Sequence, residues 1–159
     1  MIRRRAFSIP PVPLMLALAG LLPFFAGAFA IHGFAGDVAR QASAKLVLIL
    51  YAAVILSFLG GVRWGVEMTV RPGSPRPLPL SLSVIGALAG WALAWQGALG
   101  GLHPWQFLVL AGLFAAHWLW DLRASTDLPA WYDGLRTIAS FGAILALLAG
   151  WAAGSPFQS

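Results

Sequence analysis

Cysteine is absent from the 159 residues, which excludes disulfides, thiol nucleophiles and thiolate-held metals. Charge is scarce. Asp, Glu, Lys and Arg make up 9% of the chain, against roughly a quarter in a soluble domain. Lysine occurs once, at Lys45, while arginine occurs nine times, a bias that suggests a GC-rich bacterial genome. The alternation of polar and apolar residues that soluble elements need is also missing. There is no Gly-rich phosphate loop, nucleophile elbow or H-E-x-x-H pair, and three scattered histidines give no metal-ligand spacing. No metal and no cofactor are expected.

What fills the chain is apolar: 60% of the residues are hydrophobic and the mean hydropathy is +0.82. Apolar runs of membrane-spanning length are broken only by short Pro, Gly and charge clusters, which specifies an all-α polytopic membrane bundle, one domain over residues 1–159 with about five transmembrane helices. In a soluble protein a net charge of +5 would suggest nucleic acid. Here the excess sits in Arg3, Arg4 and Arg5 and in short loops, where it sets membrane orientation, so no nucleic-acid partner is expected.

The spans are predicted at about 13–31, 45–70, 80–99, 105–122 and 135–153, behind a basic tail over 1–12. Ala28-Phe29-Ala30 resembles a small-x-small cleavage site. The apolar run before it exceeds the 7–15 residues of a signal-peptide core, and Pro10, Pro11 and Pro13 crowd its start, so the first helix is expected to remain. Residues 32–44 read as a loop, and the four prolines within 71–79 read as a stiff basic turn outside the bilayer. Thr126 or Asp127, followed by Pro129, reads as the cap of the last helix. With the N-terminus inside, Arg3, Arg4, Arg5, Arg71, Arg76, Arg123 and Arg136 fall on the cytoplasmic side of an inner membrane, and Arg40 and Lys45 fall opposite. That bias places the C-terminus in the periplasm.

Small residues recur every fourth position on three spans: Ser57, Gly61 and Gly65; Gly86 and Gly90; Gly142, Ala146 and Gly150. Such spacing lets helix backbones approach closely in lipid. All three ladders are expected to face other helices, which leaves room for a membrane-protein partner or a homo-oligomer besides the bilayer itself.

The polar candidates gather at the predicted cytoplasmic side. Arg63 and Glu67 lie four apart on one helix face, about two turns and one turn from the end of their span. An unpaired guanidinium at that depth is costly unless it snorkels or pairs. Two alternatives stay open: an ion pair in a protein-lined site, or Arg63 reaching lipid phosphate with Glu67 in water. Asp121, Arg123, Trp131, Tyr132 and Arg136 form a second group on the same side, able to hold an anionic head beneath aromatic cover. His117 and Asp121, also four apart, would let a carboxylate orient an imidazole.

Tyr51-x-x-x-Ile-Leu-Ser-Phe-Leu-Gly-Gly-Val-Arg-Trp-Gly65, Ala19-Gly-Leu-Leu-Pro-Phe24 and Leu128-Pro-x-Trp-Tyr-x-x-Leu-Arg136 together resemble the transmembrane protein 69-like family of small membrane proteins, over about residues 12–150. The resemblance implies five spans and an inner-membrane location, and brings no activity, cofactor or catalytic residue. The residues favour a non-enzymatic bundle that binds a partner protein or lipid, as an accessory or assembly factor of a membrane complex. The alternative is a carrier or binder of a small amphipathic anion such as a quinone, lipid or organic acid, anchored on Arg63.

Overall fold

The computed structural model describes residues 8–124 and 128–153. It contains five helices, α1 (Pro11–Gly33), α2 (Val38–Val70), α3 (Pro77–Ala98), α4 (Trp105–Arg123) and α5 (Tyr132–Ala152), and no strand among the described residues. Four of them, α1, α2, α3 and α5, are long and apolar enough to cross a membrane. The exception is α4, whose 19 residues would span about 28 Å. It turns Gln106, His117 and Asp121 inward and leaves Leu108, Val109, Leu119 and Leu122 outside. An inside-out helix of this kind hides its polar groups among neighbours and shows lipid-compatible residues to the exterior.

The helix starts explain where the boundaries moved. α2 begins at Val38, well before the expected Lys45, because the Asp37 carboxylate caps it by accepting the Arg40 N–H at 3.0 Å. Most of the predicted 32–44 loop is therefore helix. Similarly, α3 starts at Pro77 inside the proline-rich stretch, because proline in a first turn lacks only an N–H that would have no helical partner. The expected caps Thr126 and Asp127 lie outside the described residues. Gly36 and Gly100 take positive φ values of 96° and 89° in the turns after α1 and α3, a backbone region that a side chain would strain.

Short connections make successive helices run in opposite directions. Contacts at both ends agree: Ile9 lies beside Gly134 near the starts of α1 and α5, while His32 Nε2 meets the Ala149 carbonyl at 2.9 Å near their ends. One end of the bundle thus gathers the N-termini of α1, α3 and α5 and the C-termini of α2 and α4. The core runs along the axis through Phe24, Leu48, Ile49, Leu56, Phe107, Leu110, Phe114 and Leu147, all nearly inaccessible. Phe24 sets its ring edge-to-face on Tyr51 and Phe114, at 5.0 and 5.5 Å, and Tyr51 Oη donates to the Gly20 carbonyl at 2.8 Å.

The small residues of α3 and α5 lie close to neighbouring helices. A Cβ on Gly86 would meet His117 Nε2 at 2.5 Å, one on Gly90 would meet Ala53 Cα at 2.9 Å, and one on Gly142 would meet Leu21 at 2.5 Å. At Gly150 it would touch Leu48 at 3.2 Å. The third ladder needs correction. Ser57, Gly61 and Gly65 are exposed, and nothing stands within 4 Å of a Cβ built on Gly61 or Gly65. The reason is angular: burial of Arg63 and Glu67 fixes which side of α2 faces inward, and it carries Gly60 instead of Gly61. A Cβ on Gly60 would collide with the Ser83 carbonyl of α3. Gly60→Ala should therefore lower stability by about 1–3 kcal/mol through overpacking. Gly61→Ala should be neutral or stabilise by up to about 1 kcal/mol. Thermal unfolding in detergent separates the two, and equal losses would contradict this assignment of the α2 face.

Candidate functional site

The end where α2 and α4 finish and α5 begins holds three ionised side chains almost out of reach of solvent. Asp121 of α4 accepts Arg63 Nε of α2 on one carboxylate oxygen and Arg136 Nε of α5 on the other. Their exposures are 2%, 5% and 5%. Each residue comes from a different helix, so one carboxylate joins three elements. Arg63 also donates from Nη1 to the Ala124 carbonyl at 2.7 Å, capping the C-terminal end of α4, and its guanidinium lies 5.4 Å from the Trp120 ring centre. In an apolar surrounding such a chain is held together because separating any member would leave a bare charge, a penalty of several kcal/mol.

Two guanidinium nitrogens are left over. Nη2 of Arg63 and Nη2 of Arg136 are buried with no hydrogen-bond partner, and Ser140 Oγ, one turn beyond Arg136, is in the same state. His117, one turn before Asp121, is buried with its imidazole against Gly86 and 5.8 Å from the Trp120 ring; its Nδ1 also has no partner. The orientation of His117 by Asp121 that their spacing allows is not formed, since Asp121 is taken up by the two arginines.

Glu67 belongs to a separate cluster. It is 3% exposed and engages the loop that follows its own helix, not Arg63. Its carboxylate accepts the Arg76 backbone N–H at 2.8 Å, Arg76 Nη2 at 2.8 Å and Nε at 3.1 Å, and Arg71 Nη1 at 3.3 Å. Of the two alternatives left open for Arg63 and Glu67, neither describes the arrangement: the two residues belong to separate protein-lined networks. The physical reason is competition: Glu67 is within reach of a backbone donor and two loop arginines, and Arg63 is within reach of a carboxylate on the facing helix. Arg71 and Arg76 were not anticipated as site residues, although Arg71 stands four residues after Glu67, a spacing that signals a helix-surface pair.

Of the remaining candidates, Arg123 is exposed and makes no ion pair among the described residues. Trp131 and Tyr132 are half-buried at the start of α5, with ring centres 6.4 Å apart. Tyr132 and Arg136 also line a cavity of about 330 Å³ between α1, α2 and α5, with Phe114 of α4 on its wall, a feature that no linear pattern announces. Its walls are otherwise apolar, among them Leu16, Leu21, Phe58 and Ala139. Among the described residues Arg136 is the one charged side chain on its lining. No group of His, Asp and Glu able to hold a metal ion occurs among them either.

Apolar helices with a buried ionic chain at one end define a polytopic α-helical membrane protein. The chain belongs to the family of proteins of unknown function designated DUF3429, whose model matches residues 9–152. It is similar to Transmembrane protein 69 of Xenopus tropicalis, with 34% identity over 148 residues, covering 91% of this chain and 55% of that protein. The chain thus spans about half the length of the curated relative it matches. No solved structure matches it.

Asp121→Asn would leave two buried guanidiniums with no counter-charge and should destabilise the bundle by about 3–5 kcal/mol. In a double-mutant cycle, Arg63→Ala and Asp121→Asn should couple by about 0.5–3 kcal/mol because each removes the other's partner. The coupling between Arg63→Ala and Glu67→Ala should be clearly smaller, since those two residues share no partner. A larger Arg63–Glu67 coupling, measured as folded fraction in detergent, would mean that the two networks are one.

Proposed function

We propose that this protein is a non-enzymatic lipid-binding bundle of a bacterial inner membrane, which holds one apolar chain between α1, α2 and α5 as an accessory factor of a larger membrane complex. The observation that carries this reading is the cavity of about 330 Å³, within the range of ligand pockets, roughly 300–1,000 Å³. Its lips include Leu16 and Phe58, 69% and 65% exposed on the outer surface of the bundle, so it opens sideways toward hydrocarbon. Acid and base groups are present, but Asp121 and Glu67 are each neutralised by arginines, an arrangement suited to holding and not to proton transfer.

The orientation proposed with it puts the ionic end at the cytoplasmic surface. Arg63, Arg71, Arg76, Arg123 and Arg136 belong to that end, Arg40 and Lys45 to the other, and short loops rich in arginine stay inside. α4 then crosses as a fifth span, screened by its neighbours. With no native cysteine, Ser74→Cys should react with an impermeant thiol reagent only after the inner membrane is opened, while Ala35→Cys should react from the periplasm. The reverse pattern would invert the topology.

Lipid retention is tested by filling the cavity. Protein extracted in mild detergent should carry a lipid adduct in native mass spectrometry, and Ala139→Trp, or Ala17→Trp on the facing helix, should remove it without lowering thermal stability. Wild type and both variants carrying equal adducts would exclude the cavity as the binding place.

A further inference from the structure

We infer that the cavity is a site for a single-chain amphiphile carrying one negative charge, with its head at the Arg136 side chain and its tail running along α1 toward Phe24. This rests on the lipid-binding function proposed above and adds the chemical class of the occupant. The first support is shape. Along α1 the lining extends from Pro13 to Phe24, about 16 Å at the helical rise of 1.5 Å per residue. At about 330 Å³ the cavity lies at the lower end of ligand pockets, roughly 300–1,000 Å³, a size that favours one chain over two.

The second support is charge. Arg63 and Arg136 bring two positive charges to the single negative charge of Asp121, so the chain of three keeps one cation in excess. Both Asp121 oxygens are occupied by Nε atoms of the two arginines. Among the described residues Arg136 is the one charged side chain on the lining of an otherwise apolar slot, and a guanidinium in such a place selects an acceptor, an ionised acceptor most strongly. Asp121 does not oppose such a head, because its charge is already compensated by the same two arginines.

The third support is position. Arg136 and Tyr132 lie near the N-terminus of α5, and Pro13 near that of α1, all at the arginine-bearing end of the bundle, whereas Phe24 and Ala143 lie about three turns deeper. A ligand with its head there and its tail inward has the orientation of an amphiphile in the adjoining leaflet. Fatty-acid carboxylates and lysophospholipid phosphodiesters share this chemistry. Neutral single-chain lipids lack the head, and two-chain phospholipids ask for more room.

The test compares binding of four probes to the purified full chain in detergent: a long-chain fatty acid at a pH where it is ionised, a lysophosphatidylglycerol, a fatty alcohol of the same chain length as the acid, and a phosphatidylglycerol. One or both single-chain anions should bind about tenfold or more tightly than the alcohol, and which of them binds better identifies the head. Arg136→Gln should reduce that anion to the level of the alcohol, and Arg136→Lys should retain part of the preference. The wild-type comparison alone decides if either variant fails to fold. Equal binding of alcohol and anions, blocked by Ala139→Trp, would overturn the charge assignment while leaving lipid binding standing. Phosphatidylglycerol binding as tightly as its lyso form would overturn the single-chain assignment. No probe binding in a manner sensitive to Ala139→Trp would remove the lipid-binding function itself.

Discussion

The structure turns on one carboxylate shared by two guanidiniums in a place with almost no water. Asp121 cannot be ionised there alone, and neither Arg63 nor Arg136 can be buried alone, so the three helices that carry them must meet at one level and in one rotation. Once α2 is turned to deliver Arg63 inward, Glu67 one turn later is also inside and takes the Arg71–Arg76 loop as its partner. The same rotation places Gly60 against the Ser83 carbonyl and sends Gly61 to the surface. In a bundle whose exterior and interior are both apolar, hydrophobicity says little about which side of a helix faces in. The ionic chain supplies that information.

This accounts for what could and could not be read from the residues. Five helices were legible because apolar runs of spanning length are long and sharply punctuated, and the ladders on α3 and α5 were legible because glycine four residues apart has few uses in lipid other than close packing. The α2 ladder misled because Ser57, Gly61 and Gly65 form the same pattern as a packing face, although Gly60 beside them is the residue with a backbone against it. Nothing local distinguishes two adjacent glycines. The polar residues themselves were legible by their rarity, and six of the seven candidates do lie at the arginine-bearing end in buried or half-buried positions. Their pairing was not. Arg63 and Asp121 stand 58 residues apart, and no spacing rule connects positions on helices whose relative rotation is unknown. The cavity was invisible for the same reason, since its walls are drawn from α1, α2, α4 and α5.

Polar side chains also tie down the opposite end, in a quieter way. Gln106, fully buried, accepts the His103 backbone N–H at 2.9 Å and donates to the Gly101 carbonyl at 3.0 Å and to Gln96 at 3.2 Å. It therefore fastens the α3–α4 turn much as Glu67 fastens the α2–α3 turn. Neither lines the cavity beside α1 and α2, and that separates these turn-holding polar groups from Arg136.

The chain separations of the ionic contacts carry a consequence for assembly. Glu67 and Arg76 are 9 residues apart, Asp121 and Arg136 are 15 apart, and Arg63 and Asp121 are 58 apart. Closing a short loop loses less entropy than closing a long one. The α2–α3 and α4–α5 hairpins can thus each latch through their own acid–arginine contact as they enter the bilayer, before the Arg63–Asp121 contact joins them. In that order Asp121 first acts within one hairpin and then becomes the clasp between two. Until the hairpins dock, Arg63 lacks the carboxylate of the facing helix, which makes the half-assembled chain, more than the finished bundle, the state with an arginine to shelter.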